Sequence, residues 1–290
     1  MTNAARAAKA DDHKPGLVEE IIEVSKTVII ALVIALVIRT LLFQPYTIPS
    51  ASDQPNLYRG DYIIVTKWSY GYSRHSLIFS PPILKGRLFF HPPARGDIIV
   101  FKLPRDGHTD YIKRLVGLPG DRIQMKNGTL WINGKPVKEE SLGAHIVAEN
   151  GEPQQVKWIR ETNPEGRSYT IQDFGRGFTA DDTDVYVVPQ HCYFMMGDNR
   201  DNSADSRFDP GLAPDDPRLG GCGWDPKHDA ILHDQGVGFV PEENLVGKAQ
   251  FIMLSWDTGV DDTDHSKAYI FKPWTWFTHA RPSRFFHWLR

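Results

Sequence analysis

Several things are scarce in this chain, and each scarcity removes a class of protein. Two cysteines in 290 residues, Cys192 and Cys222, are too few for a disulfide scaffold. There is no basic surplus. The net charge of -3 is the wrong sign for a protein that grips nucleic acid, and no nucleic-acid partner is expected. No internal repeat is present. Cys222, His228, Asp229, His233 and Asp234 match no standard zinc spacing, so no metal is expected. The polar run 197–207 lacks the glycine and the closing glutamate of a calcium loop. Turn chemistry, by contrast, is plentiful. Gly 24 and Pro 21, together with Trp 8, Tyr 10 and Phe 15, suggest many short strands more than long helices. The length suffices for one large domain or two modest ones with a real core.

Residues 1–16 are small and polar and read as a disordered tail. From Leu17 the pattern turns helical, 28–43 is almost uninterrupted apolar sequence, and its most apolar part, 28–38, sits between Lys26 and Arg39. A buried core helix fits poorly, because nothing marks a polar face. A cleavable signal peptide fits the small triplet Ser50-Ala51-Ser52, but its leader would be long and would carry Asp11, Asp12, Glu19, Glu20 and Glu23. A single uncleaved membrane anchor over 17–44 is the preferred reading, with Arg39 snorkelling to the interface. Arg6, Lys9, Lys14 and Lys26 precede the apolar segment, which places the N-terminus in the cytoplasm.

Beyond the anchor, short β-branched runs alternate with turns. Tyr62-Ile63-Ile64-Val65, Ile98-Ile99-Val100-Phe101 and the run from Tyr111 to Val116 read as strands. Asn127-Gly128 between two alternating runs is a strong hairpin signal, and Asn133-Gly134 repeats it. The expected fold is therefore all-β: an antiparallel core from 45–122 and 185–256, a smaller inserted β subdomain at 123–184, and an aromatic, basic tail at 257–290. The apolar connection 68–94 is expected to pack on the sheet or on a membrane surface. For the tail, packing on the sheet and contact with lipid headgroups both stay open. Cys192 and Cys222 are read equally well as a bridge or as two buried thiols.

Candidate chemistry begins at the prolines flanking Ser50 and Ser52, where a serine is either a turn residue or a nucleophile. In Tyr111-Ile112-Lys113-Arg114, Tyr111 and Lys113 share one face of a strand, Ile112 and Arg114 the other. A lysine flanked by apolar strand residues is half buried, and burial favours a neutral amine able to take a proton. The run from Gly197 through Arg207 has the makings of a solvated loop or of a polar network holding a site together. His108 with Asp106 and Asp110 suggests a Ser–His–Asp triad, but the three sit at a turn where solvated polar residues are ordinary.

Taken together, Ile48-Pro49-Ser50-Ala51-Ser52, Arg95-Gly96-Asp97, Tyr111-Ile112-Lys113-Arg114 with Gly117-Leu118-Pro119-Gly120-Asp121, and Gly197-Asp198-Asn199-Arg200-Asp201-Asn202-Ser203 through Asp205-Ser206-Arg207 resemble the successive signature boxes of bacterial type I signal peptidase. The resemblance spans about 17–248. It implies a single-pass enzyme of the bacterial inner membrane, its catalytic domain outside, that removes signal peptides from secretory preproteins without a cofactor. It implies Ser52 as nucleophile and Lys113 as general base, with Ser50 and Ser52 forming the oxyanion hole. Ser203 would orient the lysine. Asp198 with Arg114 and Asp205 with Arg207 would be structural ion pairs. Ile48, Tyr111 and Ile112 would line pockets for small substrate residues at -3 and -1. Two positions depart from the pattern: Asp53 stands where methionine is usual, and Asn56 where threonine is usual. In an extended chain Asp53 would point away from Ser52. Near the site, it would hold Lys113 protonated and oppose an oxyanion. The alternative implied by Asp53 is a weakened relative that binds signal peptides with little turnover. A self-cleaving repressor of related fold would need a DNA-binding N-terminus, where this chain is apolar.

Overall fold

The computed structural model describes residues 16–77, 80–82, 84–149, 152–208, 222, 236–257, 274 and 276–289. It falls into two units, residues 1–39 and 40–290. The first holds the helix α1, Leu17–Val37, whose Glu19 and Glu20 sit in the first turn, where the helix dipole favours negative charge. The backbone continues as a π-helical stretch, Ile38–Leu42. The apolar span Leu17–Leu42 has a mean hydropathy of 2.6 and is long enough to cross a membrane.

The second unit is built from antiparallel strands. In chain order they are β1 (Phe43–Thr47), β2 (Asp61–Thr66), β3 (Ile98–Lys102), β4 (Asp110–Gly117), β5 (Arg122–Lys126), β6 (Thr129–Ile132), β7 (Lys135–Pro136), β8 (Lys138–Glu149), β9 (Glu152–Thr162), β10 (Ser168–Asp173), β11 (Tyr186–Val187), β12 (Cys192–Met196), β13 (Val240–Pro241), β14 (Leu245–Ser255) and β15 (His287–Trp288). The main sheet runs β1-β2-β14-β3-β4-β12-β13, with β15 added to β14. Two smaller sheets, β10-β9-β8 and β11-β5-β6-β7, complete the all-β body. Their hairpins follow the expected turn chemistry. Asn127 and Gly128 both take positive φ, 46° and 72°, as a two-residue hairpin turn requires.

The alternation along β4 divides the core. Ile112 packs with Ile48, Leu57, Ile63, Ile98 and Val100. Leu115 packs with Tyr70, Ile99, Phe101 and Met195, and Tyr111 lies against that cluster. The connection after β2 is drawn onto the sheet by Arg87, which donates to the carbonyls of Tyr70, Gly71, Glu242 and Leu245. Cys192 and Cys222 form a disulfide. Residues 209–221 and 223–235 lie outside the described residues. The described part of the tail packs on the sheet. There β15 pairs with β14, Phe285 meets Trp256, and Arg284 pairs with Asp61.

Candidate active site

The loop between β1 and β2 carries Ser50, Ser52 and Asp53. Ile48 N donates to Asp61 O and Gly60 N to Ile48 O, which pins the two ends of the loop together. Inside it the chain coils. Gln54 N donates to Ala51 O, and both Asn56 N and Leu57 N donate to Asp53 O. Residues 51–57 are therefore turned and not extended. That local geometry decides where Asp53 goes: its side chain folds back beside Ser52 instead of pointing away.

Strand β4 brings Lys113 to the same place. Lys113 Nζ lies 2.5 Å from Ser52 Oγ, 3.2 Å from Asp53 Oδ2 and 2.8 Å from Ile112 O. An ammonium has three donors, and these three acceptors occupy them. Ser52 Oγ also lies 2.9 Å from Asp53 Oδ2 and 3.2 Å from Ser50 Oγ. Lys113 and Asp53 are 3% and 2% exposed, so the pair is effectively dry, while Ser52 at 9% still reaches the cleft. Burial pushes the Asp53 carboxyl above the usual carboxylate range. Lys113 opposes the shift and Asp198 adds to it.

The polar run after β12 underlies this group. Asp198 receives Arg114 Nε and Nη2 in a two-pronged pair, each at 2.7 Å. Asp205 likewise receives Arg207 Nε at 2.9 Å and Nη2 at 2.8 Å. Burial alone would raise the Asp205 carboxyl, but Arg207 and the Gly197 and Arg207 amides hold it below its ordinary value. Asn199 N donates to Ser52 O at 3.0 Å, and Asn199 Nδ2 to Ala51 O at 3.2 Å. The run thus grips the backbone of the serine loop directly. Gly197 leaves no room for a Cβ, which would strike Ser203 and the Ser52 carbonyl.

Two expected contacts differ. Ser203 is buried, yet its Oγ has no hydrogen-bond partner and does not bond Lys113. The Lys113 amine donates instead to Ser52 Oγ, Asp53 Oδ2 and Ile112 O. Ile48 sits in the core beside Ile112 at 2% exposure, because its backbone closes the loop and turns the side chain inward. Tyr111 and Ile112 do line the cleft beside Ser50, Ser52 and Lys113, a space of about 410 Å³. A larger cavity of about 570 Å³ lies by the C-terminal segment, away from Lys113.

The sequence reading missed Glu161, which holds both Arg200 terminal nitrogens at 2.5 and 2.6 Å in full burial. Asn56 Nδ2 donates to Asp198 Oδ2 and to Thr170 O, two bonds that a threonine hydroxyl with its single proton could not donate. Asp106 caps its own turn through His108 N and Thr109 N, as a solvated turn residue does, and Asp110 pairs with Lys102. Among the described residues no cluster is suited to hold a metal ion. His228, Asp229, His233 and Asp234 lie outside those residues.

Residues 21–256 match the family model described as signal peptidase, peptidase S26. A signal peptidase I from Rickettsia felis is 39% identical over 242 residues, covering 78% of this chain and 79% of that protein. One from Rickettsia typhi is 38% identical over 268 residues, covering 87% of this chain and 88% of that protein. A solved signal peptidase I from Enterococcus faecalis V583 shares 24% identity with a TM-score of 0.27, covering 55% of this chain and 97% of that one.

Proposed function

The chain belongs to the signal peptidase family, peptidase S26, and from that premise we propose that it is a membrane-anchored serine endopeptidase working through a Ser52–Lys113 dyad. Its substrates are secretory preproteins, and its product is the mature chain freed of its signal peptide. The observation that carries this reading is the 2.5 Å approach of Lys113 Nζ to Ser52 Oγ in a nearly dry pocket.

The reaction begins with Lys113 as a free amine. Its lone pair takes the Ser52 hydroxyl proton as Oγ bonds to the scissile carbonyl carbon, and the carbonyl electrons move onto oxygen. Ser50 Oγ and the Ser52 N–H receive that oxyanion. One such donor is worth about 3 kcal/mol in the transition state. The intermediate collapses as Lys113 passes its proton to the leaving amine. Water then attacks the acyl carbon as Lys113 takes its proton, and the bond from that carbon to Ser52 Oγ breaks as Lys113 returns the proton to Oγ. Tyr111 and Ile112 line the cleft into which the small residues at -3 and -1 fit. The pairs Arg114–Asp198 and Arg207–Asp205 hold the floor beneath.

The span Leu17–Leu42 serves as the anchor in the bacterial inner membrane, N-terminus inside. The Cys192–Cys222 disulfide suits a catalytic unit on the oxidising outer side, in contact with the lipid surface. The test is cleavage of a purified preprotein by the full-length protein, Ser52→Ala and Lys113→Ala, with the N-terminus of the product sequenced. Loss of cleavage in both variants supports the dyad. Retained cleavage in either one removes it.

A further inference from the structure

Three groups, not two, meet at the reacting hydroxyl. Asp53 Oδ2 lies within hydrogen-bond distance of both Ser52 Oγ and Lys113 Nζ. Its other oxygen, Oδ1, is buried without a hydrogen-bond partner. The carboxylate is therefore committed to the dyad through one oxygen and to nothing through the other. The turn at residues 51–57 fixes it there, since Asp53 O accepts from both Asn56 N and Leu57 N. Ser203 Oγ, packed against Gly197 beside the Ser52 carbonyl, is meanwhile a buried hydroxyl with no partner.

We propose that Asp53 is the residue that positions Lys113 in this protein, and that its charge sets the pH range in which the dyad works. The proposal rests on the peptidase reading given above and extends it. The charged groups facing Asp53 are Lys113 and Arg114 from β4, and Asp198 from the run after β12. Arg114 is already matched by Asp198 through two hydrogen bonds. That leaves Lys113 as the cation whose proton Asp53 governs.

Two consequences follow for the reaction, and they have opposite signs. An anionic Asp53 beside Lys113 attracts the ammonium and so opposes the free amine that the first step needs. Once Lys113 has taken the Ser52 proton, the same carboxylate receives the new N–H bond and holds the ammonium aimed for delivery to the leaving nitrogen. No bond to Asp53 forms or breaks. It is a positioning residue, acting through Lys113.

The experiment uses the full-length protein in detergent, with preprotein cleavage followed from acid to alkaline pH. Asp53→Asn keeps size and one acceptor oxygen but removes the charge. The acid-side limb of its kcat/KM profile moves to lower pH by about one unit or more, within the range an adjacent opposite charge produces. Asp53→Met removes charge and acceptor together. The limb moves the same way, and kcat at the plateau falls about tenfold or more with KM little changed, because the amine is no longer aimed. Thermal melting of each variant separates these effects from loss of fold.

A profile of Asp53→Asn that superimposes on the parent overturns the proposal. If Ser52→Ala still cleaves, the dyad reading falls and this proposal with it. If Ser52→Ala is inactive while Asp53→Asn leaves the limb in place, only the role of Asp53 falls.

Discussion

Lys113 and Arg114 are neighbours on one strand, both buried, both facing an aspartate, and they are treated in opposite ways. Arg114 is saturated. Asp198 takes two of its nitrogens, Gly96 O takes a third, and the Tyr169 ring lies 4.2 Å from its guanidinium carbon. Asp198 in turn receives Asn56. Around Lys113 the matching is incomplete: Asp53 Oδ1, Asn199 Oδ1 and Ser203 Oγ are all buried without partners. A buried polar atom without a partner costs about 1–3 kcal/mol, so leaving several in one place needs a reason. On the proposed dyad, the difference separates a frame from a working part. Arginine keeps its charge permanently and locks geometry with a planar fork. Lysine gives up its proton and sits where the surrounding bonds are unfinished.

The comparison is sharpest under substitution. Lys113→Met is expected to lower preprotein cleavage by at least about 10⁴-fold, with the melting transition little changed. Activity and melting curves on one preparation check it. Arg114→Met should do the reverse and destabilise the fold by about 3–5 kcal/mol, because Asp198 is left buried without its cation. Denaturant titration reads that loss, and a stable Arg114→Met protein would erase the distinction. Ser50→Ala should lower kcat by about 10²–10³-fold, as loss of one oxyanion donor does, without affecting stability. Gly197→Ala should lower activity by less than Ser50→Ala, since the added methyl meets Ser203 and the Ser52 carbonyl and displaces the serine loop. Assay of both variants together gives the order.

The smallest effect is in the pH dependence of stability. The Asp97 and Asp205 carboxyls are held below the ordinary value of 3.8 despite their burial, by Lys248 and Arg167 for the first and by Arg207 for the second. Groups shifted down contribute stability that is present above their unfolded value and lost as pH falls through the folded one. Melting temperature should therefore drop below pH 3.8, and the drop should be shallower in Asp205→Asn, whose neutral-pH melting temperature is already lower. Asp53 is shifted up and carries the opposite sign. Its contribution is largest in acid and is lost as pH rises through its raised value.

Much of this arrangement was legible before any coordinates. The period-two pattern of β4 fixed which residues share a face, and the Asn-Gly pairs marked the hairpins. The apolar run after Lys26 marked a helix long and apolar enough to cross a membrane. The juxtaposition of Ser52 with Lys113, 61 residues apart, was legible only through the order of four boxes. No spacing rule reaches across a sheet. Three things were not legible, each for a physical reason. The direction of Asp53 depends on a coiled turn at 51–57, whose hydrogen bonds are not encoded by any single residue. Glu161 and Arg200 pair across a long separation, and a charge in a polar β9 strand reads as solvated until the fold buries it. The tail could be assigned to lipid or to sheet with equal ease. Its aromatic residues go both ways, with Phe285 against Trp256 while Phe277 and Trp288 stay exposed.

Arg284 reaches back to Asp61 across 223 residues and also donates to Asn56 O, within the loop that carries Ser52. During synthesis, Asp61 has left the ribosome long before its partner is made. The nascent polypeptide therefore carries the loop between β1 and β2 without this brace until translation has passed Arg284.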